Sequence, residues 1–414
     1  MFLGGEIMHC RFCNTNLEKE FLSLGVSPLA NSYLDNRGLG KKELFYPLEL
    51  YVCPNCLLVQ VDEFEIPENI FSDYAYFSSY SSTWLEHVEK YVNKMMKEYG
   101  IEDKSNVIEI ASNDGYLLQY FKKQNVSVLG IEPAENVALV AEKKGVPTIC
   151  KFFAKSLAEE LVQKDVRADL LIGNNVLAHV PNLNDFISGM KILLNYDGFI
   201  TMEFPHLLRL IKENQFDTIY HEHFSYFSFI VVNKILKKHG LEIFEVEEIP
   251  THGGSLRIYA KHIEDNTKLV KSSVEDLFTK EKDFGIDKIK TYDKFTEKVK
   301  QSKRNILKFL IDLKNKDKMI VGYGAPAKGN TLLNYCGVGI DFLDYTVDKN
   351  PYKQGKYLPG THIPIFSPEK FKETKPDYVI ILPWNLKEEI IQQINYIKEW
   401  NGKFIVLIPE VEVL

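Results

Sequence analysis

The chain of 414 residues has no long apolar run: stretches such as 378–384 and 404–409 stop far short of the roughly 18 residues a membrane span needs. They read as buried strands, and no membrane partner is expected. Basic residues are not in excess either. Lys and Arg number 50 against 57 Asp and Glu, a formal net charge of −7, which argues against generic nucleic-acid binding. The first residues lack a basic segment followed by an apolar one, so no secretory signal is read there, Met1 and Met8 both stand as possible starts, and a cytoplasmic location is expected. Tandem repeats and the glycine motif G-x-G-x-x-G are missing. Cysteine is scarce, six in all, but four fall into two C-x-x-C pairs, a spacing that favours metal ligation over disulfides. The rest is ordinary for a folded protein: 45% hydrophobic and 26% charged residues, at a length that calls for two or three domains.

Cys10-Arg-Phe-Cys13 and Cys53-Pro-Asn-Cys56 are separated by 39 residues. Each pair makes a tight knuckle, and two knuckles bring four thiolates into the tetrahedron of a closed structural Zn²⁺ site. A segment this short has little core of its own, so the metal supplies folding energy. Four unrelated thiols or a redox pair are the alternatives, but neither pair has a thioredoxin-like strand–helix setting. Cys150 and Cys336 read as small buried apolar groups.

From Asn106 short β-branched runs alternate with helical periods, the signature of a parallel sheet with crossover helices. Strands are expected at 107–111, 128–131, 148–152, 169–173 and 199–203, with helices over 116–124, 136–144, 155–163 and 184–194. A helix over 229–238 precedes two β runs, 242–247 and 255–261, whose short connection makes them antiparallel. Five parallel strands closed by an antiparallel hairpin describe the Rossmann-like sheet of class I S-adenosylmethionine-dependent methyltransferases better than a dehydrogenase sheet. Residues 265–318, rich in Lys and acidic residues with apolar positions at helical spacing, read as amphipathic helices. A second α/β unit opens at 319–330 with a strand, a glycine turn and a helix, and has further strands near 343–347, 378–382 and 404–407. The expected organisation is a zinc-binding module (1–72), a methyltransferase domain (73–264), a helical linker (265–317) and a C-terminal Rossmann-like substrate-binding domain (318–414), α/β overall.

The run Glu109-Ile-Ala111-Ser112-Asn113-Asp114-Gly115 is a strand end and a turn of small and polar residues, at the carboxyl edge where open α/β sheets bind cofactors. Glu132, followed by Pro133 at the end of the second strand, is placed to accept hydrogen bonds from two ribose hydroxyls. That spacing serves NAD as well. Against NAD stand the missing glycine motif, the hairpin end of the sheet, and Asn174-Asn175-Val-Leu-Ala-His179, where methyltransferases place cofactor and active-site contacts. The densest cluster, Asp217-Thr-Ile-Tyr220-His-Glu222-His223-Phe-Ser-Tyr-Phe-Ser228, follows the fifth strand. It suits proton abstraction next to a carbonyl, since His titrates near neutrality while Glu and Tyr orient it and hydrogen-bond a developing enolate. Metal binding by H-x-H and a packed structural loop are the alternatives. His252-Gly-Gly-Ser-Leu-Arg257 is either a tight hairpin turn or a substrate contact. Backbone N–H groups between Gly322 and Asn330, with Lys328, can meet a diphosphate at a helix N-terminus, unless the unit is a degenerate structural one; Asp348, Lys353 and Tyr357 can frame sugar or nucleotide.

In this order, the two C-x-x-C pairs, Tyr76-Phe-Ser-Ser-Tyr80-Ser-Ser-Thr-Trp84, Glu109–Gly115, Tyr220–Ser228, His252–Arg257 and Gly322–Gly329 closely resemble the nucleotide-ketosugar C-methyltransferases of deoxysugar biosynthesis, over nearly the whole chain. The resemblance implies S-adenosylmethionine as cofactor, a structural Zn²⁺, and a C-terminal domain that helps hold a nucleotide-linked 4-ketosugar, with a deoxythymidine diphosphate and methylation at C3 as the expectation. It implies His223 as general base assisted by Tyr220 and Glu222, with His179 and Tyr76 lining the same site and Tyr80 near the substrate. The base removes the proton next to the carbonyl, and the enolate attacks the sulfonium methyl. Ala111 stands where methyltransferases usually have glycine. An NAD-dependent nucleotide-sugar oxidoreductase or epimerase, and a non-catalytic scaffold on the same fold, are the competing functions. The oligomeric state is not legible.

Overall fold

A computed structural model describes residues 8–67 and 77–414, the side chains of Tyr80 and Ser82 apart. Near the N-terminus β1 (Glu20–Ser27), β2 (Tyr46–Val52) and β3 (Val59–Val61) form an antiparallel sheet beside the cysteines. The two knuckles have one geometry. In each, the residue after the second cysteine takes a positive φ (Asn14 +61°, Leu57 +72°) and returns its N–H to the carbonyl of the first cysteine at 2.9 Å. The four Sγ atoms lie within 4.8 Å of one another, with Cys10–Cys56 at 3.5 Å and Cys13–Cys53 at 3.4 Å. Zn–S bonds of about 2.3 Å put tetrahedral S···S edges near about 3.8 Å, so these residues fit a closed Zn²⁺ site.

The central sheet contains β4 (Asn106–Ile110), β5 (Ser127–Ile131), β6 (Thr148–Ile149), β7 (Ala168–Asn174) and β8 (Leu194–Pro205), all parallel. After β9 (Ser225–Tyr226), which belongs elsewhere, β10 (Leu241–Ile249) and β11 (Ser255–His262) close it as an antiparallel hairpin. The order β10-β11-β8-β7-β4-β5-β6 is that of a class I methyltransferase. The inner strands are apolar on both faces because helices cover both. Two expectations shorten. The third strand stops at Ile149, because the edge turns to solvent at Cys150 and Lys151, and the first crossover helix spans Leu118–Lys123, because the turn through Gly115 occupies the residues before it. Cys150 is therefore exposed, against expectation, whereas Cys336 is buried.

The last sheet runs β12 (Ile320–Tyr323), β13 (Thr346–Val347), β14 (Ile365–Phe366), β15 (Tyr378–Ile381) and β16 (Lys403–Val406) in the parallel order β14-β13-β12-β15-β16, with β17 (Glu412–Val413) antiparallel at its edge. The strand expected at 343–347 is only two residues long. The helices Ser272–Phe284 and Ile289–Lys314 do more than link. Tyr292, Phe295, Val299, Ile306 and Leu310 of the second enter one core with Leu22, Leu24, Leu48 and Leu50 of the N-terminal sheet and Ile320, Leu332 and Ile380 of the C-terminal unit. Glu281 of the first helix, fully buried, accepts the N–H groups of Phe229 (2.7 Å) and Ile230 (2.8 Å), capping Phe229–Lys238, and meets His206 Nε2 at 2.7 Å.

The largest departure from a string of separate units is β9. It pairs with β3, Gln60 opposite Ser225 and Val59 opposite Tyr226, so the chain just after His223 completes the N-terminal sheet. Among the described residues no helix is long and apolar enough to cross a membrane. Cys53→Ser is expected to release the metal, removing roughly 10 kcal/mol of binding free energy from the module, and to lower the melting temperature. Elemental analysis and calorimetry check this; full zinc content with unchanged melting contradicts it.

Candidate active site

At the carboxyl edge of β4 the chain passes through Ala111 (φ +56°) and Asn113 (φ +49°). Left-handed backbone costs a non-glycine residue roughly 1–2 kcal/mol. Glu132 at the end of β5 holds it in place: one carboxylate oxygen accepts the N–H of Asn113 and the other that of Ala134, both at 2.9 Å. Each oxygen keeps a second lone pair for a ligand hydroxyl. Pro133 follows in the turn into the helix Glu135–Lys143. Asn113 Oδ1 accepts the N–H of Ser78 at 2.9 Å. Gly130 lets the turn lie close, since a β-carbon there would come 2.4 Å from Ser112 Oγ.

Around this turn Ser112 Oγ and Oδ1 of Asp114 are buried without a hydrogen-bond partner among the described residues. The carboxylate of Glu109 and the amide of Asn174 also lack one of good geometry, although Tyr116 packs beside both. Burial raises the carboxyl of Glu109 well above the usual range. Unmatched buried polar groups cost roughly 1–3 kcal/mol each, and a ligand carrying an amine, a carboxylate and ribose hydroxyls would match them. S-adenosylmethionine fits this donor and acceptor set.

Beyond β8 the loop toward β9 carries the titratable cluster. His223 donates its Nδ1–H to the carbonyl of Thr218 (3.1 Å), which leaves the lone pair on Nε2, and Tyr220 donates its O–H to that nitrogen at 2.8 Å. His179, in the turn Leu177–His179 after β7, donates Nδ1–H to the carbonyl of Glu222 (2.6 Å), and its ring lies 4.8 Å from that of His223. Burial pushes His179 down to about 4, and burial beside His179 pushes His223 well below its ordinary value. Both are therefore neutral at pH 7.

The Glu222 carboxylate does not orient His223, contrary to expectation. One of its oxygens accepts the N–H (3.2 Å) and side-chain amide (3.3 Å) of Asn31 from the zinc-binding module, and only its main-chain carbonyl serves a histidine. His221 points elsewhere, donating to the carbonyl of Pro47 (3.0 Å) between Tyr46 and Phe64. The H-x-H pair thus does not converge. Among the described residues, the four cysteines are the group able to hold a metal.

Residues of the C-terminal unit reach the same cluster. Lys328, at the start of the helix Ala327–Cys336, donates to Asn385 Oδ1 (2.7 Å) and lies 4.7 Å from the ring centre of Trp384; its charge acts on His223, His252 and Asp217. Trp384 in turn donates Nε1–H to Asp217 Oδ2 at 2.7 Å, and a β-carbon on Gly253 would come 2.4 Å from the indole. His252 (φ +56°) packs on Trp84 and accepts from the amide of Asn175 (3.2 Å); burial lowers it to about 4. Asn330 is buried, and among the described residues neither of its amide atoms is paired. Asp348 accepts the N–H groups of Ala325 and Asn350 (2.8 Å each), repeating on β13 what Glu132 does on β5. Lys353 and Tyr33 both donate to the carbonyl of Ala325.

Two expected substrate contacts are committed elsewhere. Arg257 donates to Glu203 (2.8 Å) and Glu247 (2.9 Å) and lies over Tyr91, an ion-pair ladder across three strands. Tyr357 donates its hydroxyl to Asn36 (2.9 Å) and pairs with Leu34, tying the N-terminal module to the C-terminal unit. Tyr76 lies outside the described residues, as does the side chain of Tyr80. Asn31, Tyr33 and Trp384 were not anticipated. For the first two no sequence signal exists, but Trp384 follows the fourth strand of a parallel sheet at its ligand-binding edge, which is a usable sign.

Family models match along the chain: a zinc binding domain over residues 10–71, a methyltransferase domain over 84–246 and a C-methyltransferase C-terminal domain over 250–409. The C-methyltransferase NovU of Streptomyces niveus is 35% identical over 408 residues, 99% of this chain and 97% of the relative. Of solved structures, a magnesium protoporphyrin IX methyltransferase from Synechocystis PCC 6803 with bound SAH is 17% identical, covering 42% of this chain and 82% of its own, at a TM-score of 0.35. An S-adenosylmethionine-dependent methyltransferase from Clostridium acetobutylicum ATCC 824 is 9% identical over 43% of this chain and 92% of its own, at a TM-score of 0.35.

The Asp217 carboxyl yields a pH prediction. Burial raises it from 3.8 to about 6 despite Lys328 and Trp384, so the fold favours its neutral form. That contribution is complete below pH 4 and is lost as pH rises through 6. Asp217→Asn cannot ionise, so its stability relative to the parent should rise by up to roughly 3 kcal/mol between pH 4 and pH 7. Denaturant titrations at both pH values check it, and an unchanging difference contradicts it.

Proposed function

The chain belongs to the C-methyltransferase family, as its 35% identity with a relative over 99% of its length shows, and from that we propose that it methylates C3 of a nucleotide-linked 4-ketosugar. The nucleotide in this reading is a deoxythymidine diphosphate. The observation that carries it is the Tyr220–His223 hydrogen bond of 2.8 Å at the carboxyl edge of the methyltransferase sheet. An acceptor that is already nucleophilic needs only positioning, whereas a C–H carbon also needs a base. S-adenosylmethionine, held at the turns after β4 and β5, supplies the electrophilic methyl group when bound.

His223 takes the proton at Nε2, the nitrogen left basic by the bond to Thr218. Burial opposes a lone imidazolium, so protonation is favoured only as the enolate charge develops beside it. Tyr220 gives up its bond to Nε2 as the proton arrives there, which frees its O–H to donate to the enolate oxygen, and the field of Lys328 acts on the same imidazole. Lys328 and Asn330, at the start of a ten-residue helix, suit the diphosphate. The neutral ring of His179 lines the site without competing for the proton.

Incubation of 4-ketosugar nucleotides with S-adenosylmethionine should give a product one methylene heavier by mass spectrometry. In heavy water the hydrogen next to the carbonyl should exchange without turnover. His223→Ala should slow both by about 10²-fold or more while cofactor affinity, by calorimetry, stays within about twofold. Wild-type exchange in that variant excludes His223 as the base, and no methylated product over a range of ketosugars overturns the substrate.

A further inference from the structure

The zinc-binding module reaches the catalytic loop through a side chain with no role so far. Arg11 lies between the first two cysteines. Its Nη1 donates to the carbonyl of Phe224, the residue after His223, at 3.0 Å, and its guanidinium lies 5.4 Å from the ring centre of Phe224. Its main-chain N–H donates to Oε1 of Gln60 (3.0 Å), whose Nε2 in turn donates to Sγ of Cys10 (3.4 Å). Gln60 is fully buried and stands opposite Ser225 in the sheet. The carbonyl of Arg11 accepts from Nδ2 of Asn184 (3.2 Å), which also holds the carbonyl of Phe12 (3.0 Å). Asn184 sits in the first turn of the helix Leu183–Leu193, just after His179. Arg11 of the knuckle is thus bonded to the residue that follows His223 and to Asn184, five positions past His179.

The carbonyl of Phe224 also accepts the N–H of Val61 at 3.1 Å, so the sheet forms without Arg11. What Arg11 adds is direction. A charge-assisted bond is stronger than a neutral one and restricts the carbonyl's orientation, and the peptide plane it holds joins Phe224 to Ser225, one residue past His223. Misplacement of a catalytic group by about 1 Å can cost about 10²-fold in rate.

We propose that Arg11 is a positioning residue for methyl transfer: through Phe224 it fixes the main chain that carries His223, and it makes the Tyr220–His223 geometry depend on an intact zinc knuckle. The proposal rests on the reading of His223 as the base. Arg11→Met keeps the apolar stem near Phe224 and removes the donor, while Arg11→Lys keeps a donor. Arg11→Met should retain a full equivalent of zinc and its cofactor affinity, lose tenfold to a hundredfold in kcat, and leave KM for the ketosugar within about threefold. The side-chain ¹⁵N signals of His223, assigned with the His223→Ala variant, should shift or broaden, while those of His206 stay fixed. Arg11→Lys should recover part of kcat. Wild-type kcat with unshifted His223 signals in Arg11→Met overturns the proposal. So does loss of zinc or of cofactor affinity in that variant, which would make Arg11 part of the knuckle's own fold. If the parent protein methylates no ketosugar, the substrate reading fails, and the NMR comparison still decides the role of Arg11.

Discussion

A loop that carries two histidines, a glutamate and two tyrosines into a nearly dry interior persists only if its polar groups are matched from outside. That constraint organises this protein. The stretch from Asp217 to Tyr226, which leads into and forms β9, is too polar to pack on one apolar face and too buried to rely on water. Its partners come from three directions: Arg11, Asn31, Pro47 and β3 from the zinc-binding module, the carbonyl-to-imidazole bond with His179 from the methyltransferase sheet, and Trp384 from the C-terminal unit. The three sheets are assembled around a loop that none of them could hold alone.

The same burial sets the chemistry. With His179 and His223 held neutral, the cluster presents imidazole rather than imidazolium at neutral pH, within the field of Lys328. In the reaction proposed for His223, the proton affinity that burial takes away is returned by the charge created beside it. An arrangement of this kind discriminates against proton transfers that leave no anion behind.

What the sequence revealed was local. Cysteine spacing led to the metal site because two four-residue C-x-x-C turns contain most of the geometry, and the place of Glu132 beside the turn after β4 follows from an acid at the end of the second strand, a one-dimensional signal. Arg257 was misread for the opposite reason. Its partners Glu203 and Glu247 face it across β8 and β10, a register that exists only once the hairpin has docked. Glu222 looked like a companion of His223 because it is adjacent in the chain, yet on an irregular loop neighbouring side chains diverge, and its carboxylate meets Asn31, 191 residues away. The helices after residue 271 were read as a linker because amphipathicity does not say what the apolar face will touch.

The pairing of β3 with β9 has a consequence for synthesis on the ribosome. β3 ends at Val61 and β9 begins at Ser225, so at about 5–20 residues per second the N-terminal sheet waits roughly ten to thirty seconds for its fourth strand. During that interval the edge of β3, Val59 to Val61, is a short apolar strand with unpaired N–H and C=O groups, a template for pairing with another chain. A metal already seated in the knuckles would hold the three-stranded fragment in register through that delay.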